Sequence, residues 1–369
     1  MLKNILLRFF SLAILLNFSL GLSQELPPII KYSALNYEGG NQNWMISQDK
    51  NQHLYFANNE GLLEFNGSSW LLYPSPNETI IRSVKVIGDR IYTGCYMEFG
   101  FWKRQDDGRL KYTSLSKSIK NKFIYDEQFW NIISYDQWFF FQSLNRIFIY
   151  DSQKGNFTIV DSKERITKSY KVNNSIYFQS LNDGLYEIES GKGRLVSNAN
   201  ILQKNRIVNI FSIEEGLLIQ TEFNGFYKLV NKVLTKYATS VDADLASTSV
   251  YSSIRLADGS LVIGTVSKGI YILTKEGNVK YHITQIMGLT NNTALSLFED
   301  IDKNLWVGSD NGINCLNLQS PIHSSTDDTG NLGTVYAAKL YQGKLYIGTN
   351  QGLFYKNNKS NEEFKLING

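Results

Sequence analysis

The chain has 369 residues, 13 % of them aromatic, and contains only five prolines and two cysteines. Its formal net charge of +3 at pH 7 falls to +1 without Lys3 and Arg8, the two cations of the leader described next. So small a charge supplies no basic field for nucleic acid, which excludes DNA or RNA binding by this part of the protein.

The first 23 residues have the pattern of a secretory signal peptide. Lys3 and Arg8 come first, an apolar run with polar interruptions covers residues 9–22, and no acidic residue occurs before residue 24. A transmembrane helix needs roughly 20 consecutive apolar residues, and this run is shorter. We therefore predict cleavage after residue 23 and export to the periplasm, with an uncleaved membrane anchor as the alternative.

One strand pattern recurs along the rest of the chain. Each copy has an apolar and aromatic strand that ends in a small residue, then a short polar loop, then a marker residue before another apolar strand. The markers are Gly61, Gly100, Asn145, Gly184, Gly225, Gly269, Gly312 and Gly352. Successive markers lie 39 to 45 residues apart, which matches the roughly 40 to 50 residues of a four-stranded propeller blade.

This period predicts an all-β fold, a β-propeller of four-stranded antiparallel blades. An unpaired strand edge promotes aggregation, so we expect the strand-like segment Ile30–Leu35 to close the ring by completing the last blade. No strand pattern follows Pro321, which cannot donate a backbone hydrogen bond. We therefore predict a seven-bladed propeller over residues 24–320 and an incomplete first blade of a second propeller over residues 321–369. The alternative is a single ring of eight blades.

Two sets of segments resemble a known family. Residues 300–309, Asp-Ile-Asp-Lys-Asn-Leu-Trp-Val-Gly-Ser, resemble the two-component-regulator propeller repeat. Residues 92–102 and 333–355, together with two Phe-Gln-Ser stretches, resemble the exported sensor regions of triple-tyrosine-motif regulators that end in a LuxR-type helix-turn-helix. The resemblance covers essentially the whole mature chain.

The resemblance implies a longer protein. Such a protein would continue into further blades, a triple-tyrosine β-sandwich, a single membrane helix, a coiled coil and a DNA-binding or kinase output. We therefore expect this chain to be truncated before its output domain. Membrane contact, and any homodimer, would belong to the intact protein.

No catalytic, metal or cofactor site is predicted. The three histidines lie in three different repeats, and no phosphate-binding glycine loop or nucleophile elbow occurs. Residues 300–304 resemble the start of a calcium loop, but Leu305 and Asn311 stand where that loop needs glycine and a carboxylate. A propeller enzyme, either a lyase or a quinoprotein, is therefore not favoured.

The candidate ligand-binding residues come from one repeat position and from the starts of the innermost strands. Three consecutive repeats place glutamine where four others have glycine. We expect these amides to line a polar pocket at the central channel beside two carboxylates, opposite aromatic and basic residues that begin the innermost strands. The full set is Gln142, Gln179, Gln220, Glu98, Glu222, Trp44, Arg82, Trp130 and Tyr251. The alternative is that the glutamines hydrogen-bond to backbone groups.

These features predict an exported module of a membrane-spanning transcriptional or two-component regulator. Aromatic faces next to amides and carboxylates suit a small polar ligand, with carbohydrates among the candidates. An envelope protein is the other candidate partner. The alternative function is a free-standing periplasmic interaction scaffold.

Overall fold

A computed structural model describes residues 25–322, 324, 330–357 and 364–367. The predicted signal peptide lies outside these residues. The chain forms two compact units, one spanning Pro28–Gln319 and the other comprising the residues before and after that span. Within the described residues the only helical segments are the short helices Ala34–Tyr37, Asn200–Lys204 and Asp242–Leu245 and the 3-10 turns Ser116–Ser118 and Lys120–Lys122.

Seven four-stranded antiparallel sheets, numbered here as blades 1 to 7, make up the unit Pro28–Gln319. The strands of blades 1 and 2 are β2 (Asn43–Gln48), β3 (Leu54–Asn58), β4 (Gly61–Phe65), β5 (Trp70–Pro74), β6 (Ser83–Ile87), β7 (Arg90–Cys95), β8 (Glu98–Arg104) and β9 (Leu110–Ser114). Blades 3 and 4 contain β10 (Asn131–Tyr135), β11 (Trp138–Gln142), β12 (Arg146–Asp151), β13 (Asn156–Asp161), β14 (Ile166–Val172), β15 (Ser175–Ser180), β16 (Gly184–Glu189) and β17 (Lys192–Ser197).

The remaining three blades continue the same order. Blades 5 and 6 contain β18 (Ile207–Ile213), β19 (Gly216–Thr221), β20 (Phe226–Val230), β21 (Val233–Tyr237), β22 (Val250–Arg255), β23 (Leu261–Thr265), β24 (Ile270–Leu273) and β25 (Val279–Ile283). Blade 7 contains β26 (Ala294–Glu299), β27 (Leu305–Ser309), β28 (Ile313–Leu316) and, as its fourth strand, β1 (Ile29–Tyr32).

The blades follow one another around a closed circuit. The first strand of each blade packs against the first strand of the next, and β26 of blade 7 packs against β2 of blade 1. Strand β1 pairs with β28, with Ile30 opposite Cys315, so the predicted closure by the N-terminal strand is confirmed. The predicted extent of that strand is wrong at its end. After Tyr32 the chain turns into a helix, where the Ser33 amide donates to Asn36 Oδ1 at 2.7 Å.

Blades 2, 6 and 7 each meet the next blade through a serine and a glycine that lie opposite each other on the first two strands. The Ser252 hydroxyl donates to the Ala294 carbonyl of the next blade at 2.9 Å. The Ser296 hydroxyl donates to the Asn43 carbonyl at the same distance, so the joint that closes the circuit repeats the joint between blades 6 and 7. A Cβ at Gly308 would lie 2.3 Å from Ser296 Oγ and 2.7 Å from the Asn43 carbonyl oxygen. Glycine is therefore required there by close approach.

Burial is greatest in the middle strands of a blade. All five residues of β23 are buried, whereas most of the outer strand β25 is exposed or half-buried. The apolar core lies between neighbouring blades, as in the cluster that joins Phe226 of blade 5 to Val250 and Ile263 of blade 6. This burial explains why middle strands such as β23 have continuous apolar runs, whereas the outer strands alternate between apolar and polar residues.

The second compact unit contains one more four-stranded sheet. Its strands are β29 (Val335–Tyr341), β30 (Lys344–Thr349), β31 (Gly352–Asn357) and β32 (Lys365–Leu366). The buried ammonium of Lys356 pairs with Glu25 Oε1 at 2.9 Å. Every residue of β29 is exposed. The two alternatives for residues 321–369, a first blade of a second propeller and an eighth blade, stay predictions.

Candidate ligand-binding site

A cavity of about 460 Å³ lies where the first strands of the blades converge. Every one of the seven blades contributes at least one lining residue, which places the cavity at the axis of the circuit. Its volume falls within the roughly 300 to 1,000 Å³ typical of small-molecule sites. The lining consists of Trp44, Met45, Arg82, Trp130, Asn131, Gln142, Leu144, Arg165, Thr167, Lys168, Leu181, Lys204, Arg206, Glu222, Tyr251 and Leu295.

An arginine between two tryptophans forms one wall. The guanidinium carbon of Arg82 lies 4.3 Å from the ring centroid of Trp44 and 4.5 Å from that of Trp130. The two indoles meet edge to face at 5.9 Å, and Trp44 Nε1 donates to Asn59 Oδ1 at 2.7 Å. Burial lowers the pKa of Arg82, although a guanidinium stays charged at neutral pH. This wall is therefore a cation held in a fixed position by two aromatic faces.

Four further cations line the cavity. Arg165 and Lys204 are exposed, whereas Lys168 and Arg206 are half-buried. Burial, together with the nearby charge of Arg206, lowers the pKa of Lys168 to about 8. The guanidinium of Arg206 lies 5.4 Å from the ring centroid of Tyr251, whose own pKa is raised by burial.

Positive charge dominates the cavity. Glu222 is the single carboxylate among the described lining residues, and it accepts a hydrogen bond from Ser249 Oγ at 2.5 Å. Across the part of the chain that the structure describes, none of the five lining cations forms an ion pair within 4 Å. The buried Trp130 Nε1 also has no acceptor among the described residues. The free polar groups of the site are therefore mainly hydrogen-bond donors.

Six of the nine predicted residues line this cavity: Trp44, Arg82, Trp130, Gln142, Glu222 and Tyr251. The other three lie elsewhere. Glu98 accepts hydrogen bonds from the Tyr112 hydroxyl at 2.9 Å and the Ser114 hydroxyl at 2.7 Å, so its carboxylate holds the outer strand of blade 2.

Two of the three glutamines tie one blade to the next. Gln142 Oε1 accepts from the Ser169 amide at 3.2 Å. Gln179 Oε1 accepts from the Ile207 amide at 2.7 Å, and its Nε2 donates to the carbonyls of Leu202 and Asn205. Both glutamines thus bond to the next blade, as the serines do at the joints of blades 2, 6 and 7. Gln220 is fully buried, and its amide has no hydrogen-bond partner among the described residues.

Sequence reasoning missed Arg165, Lys168, Lys204 and Arg206. A signal for two of them was present, because Arg165 and Arg206 directly precede the first strands of blades 4 and 5, as Arg82 precedes that of blade 2. Comparing this one position in every repeat would have found both. Lys168 and Lys204 have no such marker.

Asp300, the first residue of the segment that resembles a calcium loop, has hydrogen-bond partners within its own turn. Asp300 Oδ1 accepts from the Asn304 amide at 2.8 Å, while Oδ2 accepts from Asn304 Nδ2 at 3.0 Å and Trp306 Nε1 at 2.8 Å. The carboxylate of Asp300 therefore builds the turn between β26 and β27. No group of metal-ligating side chains occurs among the described residues.

The fold is a β-propeller, as predicted. Residues 288–311 match the family described as two component regulator propeller, which confirms the family of the repeat at residues 300–309. No protein of the curated set matches the chain in sequence.

Solved structures share the propeller fold with this chain. The extracellular domain of the hybrid two-component system BT3049 from B. thetaiotaomicron has a TM-score of 0.68 at 19 % identity, over 94 % of this chain and 49 % of that chain. The extracellular domain of BT4673 from the same organism has a TM-score of 0.63 at 19 % identity, over 94 % and 47 %. Virginiamycin B lyase from Staphylococcus aureus has a TM-score of 0.61 at 13 % identity, over 79 % and 99 %. The chain thus spans about half the length of the two B. thetaiotaomicron domains.

Proposed function

We propose that this propeller is the sensor module of an exported, membrane-spanning transcriptional or two-component regulator, and that a small polar ligand binds in its central cavity. The cavity carries the proposal, because residues from all seven blades converge there around two indoles and five cations that form no ion pair among the described residues. The family match of residues 288–311 supports the regulator assignment, as does the likeness to extracellular domains of signalling systems.

The proposal extends to the protein beyond the described residues. The leader composition supports export to the periplasm. Among the described residues, no helix is long and apolar enough to cross a membrane. We place the anchor, a triple-tyrosine sandwich and a LuxR-type or kinase output in the intact protein. The fully exposed strand β29 supports a further blade packed against the sheet that it begins.

Binding fits the cavity better than catalysis. A lyase shares the fold, but a fold hosts many functions and the site must decide. Among the described lining residues, one is a carboxylate and none is a histidine or cysteine. We base the proposal of binding on the cations and indoles of this lining, which can hold a ligand without reacting with it.

Thermal unfolding of the mature chain with a panel of small polar compounds tests the proposal. A ligand that binds only the native state raises the melting temperature, and we expect the Trp44→Ala and Trp130→Ala variants to lose that rise. Arg109→Gln, which changes an exposed turn away from the cavity, is the matched control and should retain it. A rise that survives in both tryptophan variants would contradict binding in the cavity.

A further inference from the structure

We propose that the central cavity takes an organic anion carrying at least two negative charges, so that the signal sensed is an acidic small molecule. The inference rests on the proposed function, because it specifies the ligand of the same site. It replaces the broader expectation of a polar ligand, neutral carbohydrates included, by a class defined by charge.

The lining of the cavity has an excess of positive charge. Arg82, Arg165, Lys168, Lys204 and Arg206 line the cavity with one carboxylate, Glu222. The mature chain as a whole is almost neutral, so this excess is local and not a property of the surface in general. A concave site lined by one sign of charge concentrates ligands of the opposite sign.

The five cations form no ion pair with the described residues of the protein itself. Burying a cation without a counter-charge or acceptor costs free energy, and Lys168 and Arg206 lie close enough for their charges to oppose each other. An anion would provide acceptors for these donors and for Trp130 Nε1, which has none among the described residues.

Part of the cavity lining is apolar. Met45, Leu144, Leu181 and Leu295 lie in the same cavity as the tryptophans. A volume of about 460 Å³ is far larger than a bare inorganic ion requires. Charged oxygens attached to a carbon skeleton, such as a sugar acid, a sugar phosphate or a sulfated sugar, satisfy the donors and the apolar wall together.

Calorimetric titration with a series of graded charge tests the inference. The probes are fructose, fructose 6-phosphate and fructose 1,6-bisphosphate, with glucuronate and glucose 6-sulfate to compare the anionic groups and inorganic phosphate as the anion without a carbon skeleton. We expect affinity to rise about tenfold or more with each added phosphate, and to fall when salt is raised from about 50 to about 300 mM, since these contacts are charge-assisted and screened.

Two variants locate the effect. Lys168→Gln and Arg206→Gln should each weaken binding of the bisphosphate by about tenfold or more, because each removes one charged donor. Lys163→Gln and Arg109→Gln remove exposed cations outside the cavity and should leave the affinity unchanged. Melting temperatures measured in parallel show that each variant is folded.

The possible outcomes separate the two proposals. Salt-sensitive binding that is lost in the Lys168 and Arg206 variants supports an anionic ligand. Neutral sugars that bind equally well in those variants overturn the anionic class but leave a ligand-binding cavity. Binding of inorganic phosphate as tightly as any organic probe overturns the organic requirement. If no anionic probe binds, the inference fails, whereas the proposed function is decided by the wider panel described above.

Discussion

Two buried glutamines at the same repeat position differ in their hydrogen bonds. Gln179 makes hydrogen bonds to the backbone of the next blade through both ends of its amide. Gln220, one blade further on, is equally buried and has no partner among the described residues. The same repeat position therefore holds a glutamine that joins two blades in blade 4, and a glutamine whose buried polar atoms are unsatisfied in blade 5.

The contrast predicts opposite effects of the same substitution. Gln179→Leu leaves the Ile207 amide and the carbonyls of Leu202 and Asn205 without partners, so it should lower the free energy of unfolding by about 2 kcal/mol or more. Gln220→Leu removes two unpaired polar atoms and should change it by less than about 1 kcal/mol or raise it. Urea unfolding of the two variants measures both values. Equal destabilisation by the two substitutions would show that the hydrogen bonds of Gln179 contribute nothing.

At the scale of the element, the joint between blades depends on missing side-chain volume. A Cβ at Gly308 would lie 2.3 Å from Ser296 Oγ and 2.7 Å from a carbonyl oxygen of blade 1. Gly348 occupies the same repeat position in the sheet outside the unit Pro28–Gln319. Among the described residues, a Cβ there would meet Ala337 Cβ alone, at 4.0 Å.

Alanine at these two glycines should therefore separate crowding from backbone effects. Gly308→Ala forces the joint apart and should cost about 1–3 kcal/mol. Gly348→Ala meets no obstacle and should be neutral or slightly stabilising, because it restricts the unfolded chain. Thermal unfolding compares them. A loss of stability at position 348 as large as that at position 308 would mean that crowding is not the reason for glycine.

Sequence reasoning predicted the elements better than the site. The strands and the closing role of β1 follow from a local pattern repeated about every 40 residues, and only the end of β1 was misplaced, because Ser33 and Asn36 start a helix. Gln142 and Gln179 occupy one repeat position and both bond to the next blade, yet of the two only Gln142 also lines the cavity. The repeat period does not predict which of these side chains reaches the cavity, because both stand at the same position of the repeat.

At the scale of the whole molecule, one short strand closes the circuit. Only the four residues of β1 pair with β28, and without them the edge of blade 7 would be exposed. We expect a chain that begins at residue 33 to melt at a lower temperature than one that begins at residue 28, and to self-associate through the free strand edge. Thermal unfolding and size-exclusion chromatography measure both properties. Identical behaviour of the two chains would show that the circuit stays closed without β1.

The two strands that close the ring, β1 and β28, are synthesised at the start and at the end of the propeller. Residue 29 is synthesised before every other strand of the propeller, yet its partner, residue 316, is in the last one. Because distant pairings form slowly, blade 7 stays incomplete in the nascent chain until translation has passed β28. Export, as proposed above, would benefit from this delay, because a secretion channel transports unfolded polypeptide and the ring stays open until β1 and β28 pair.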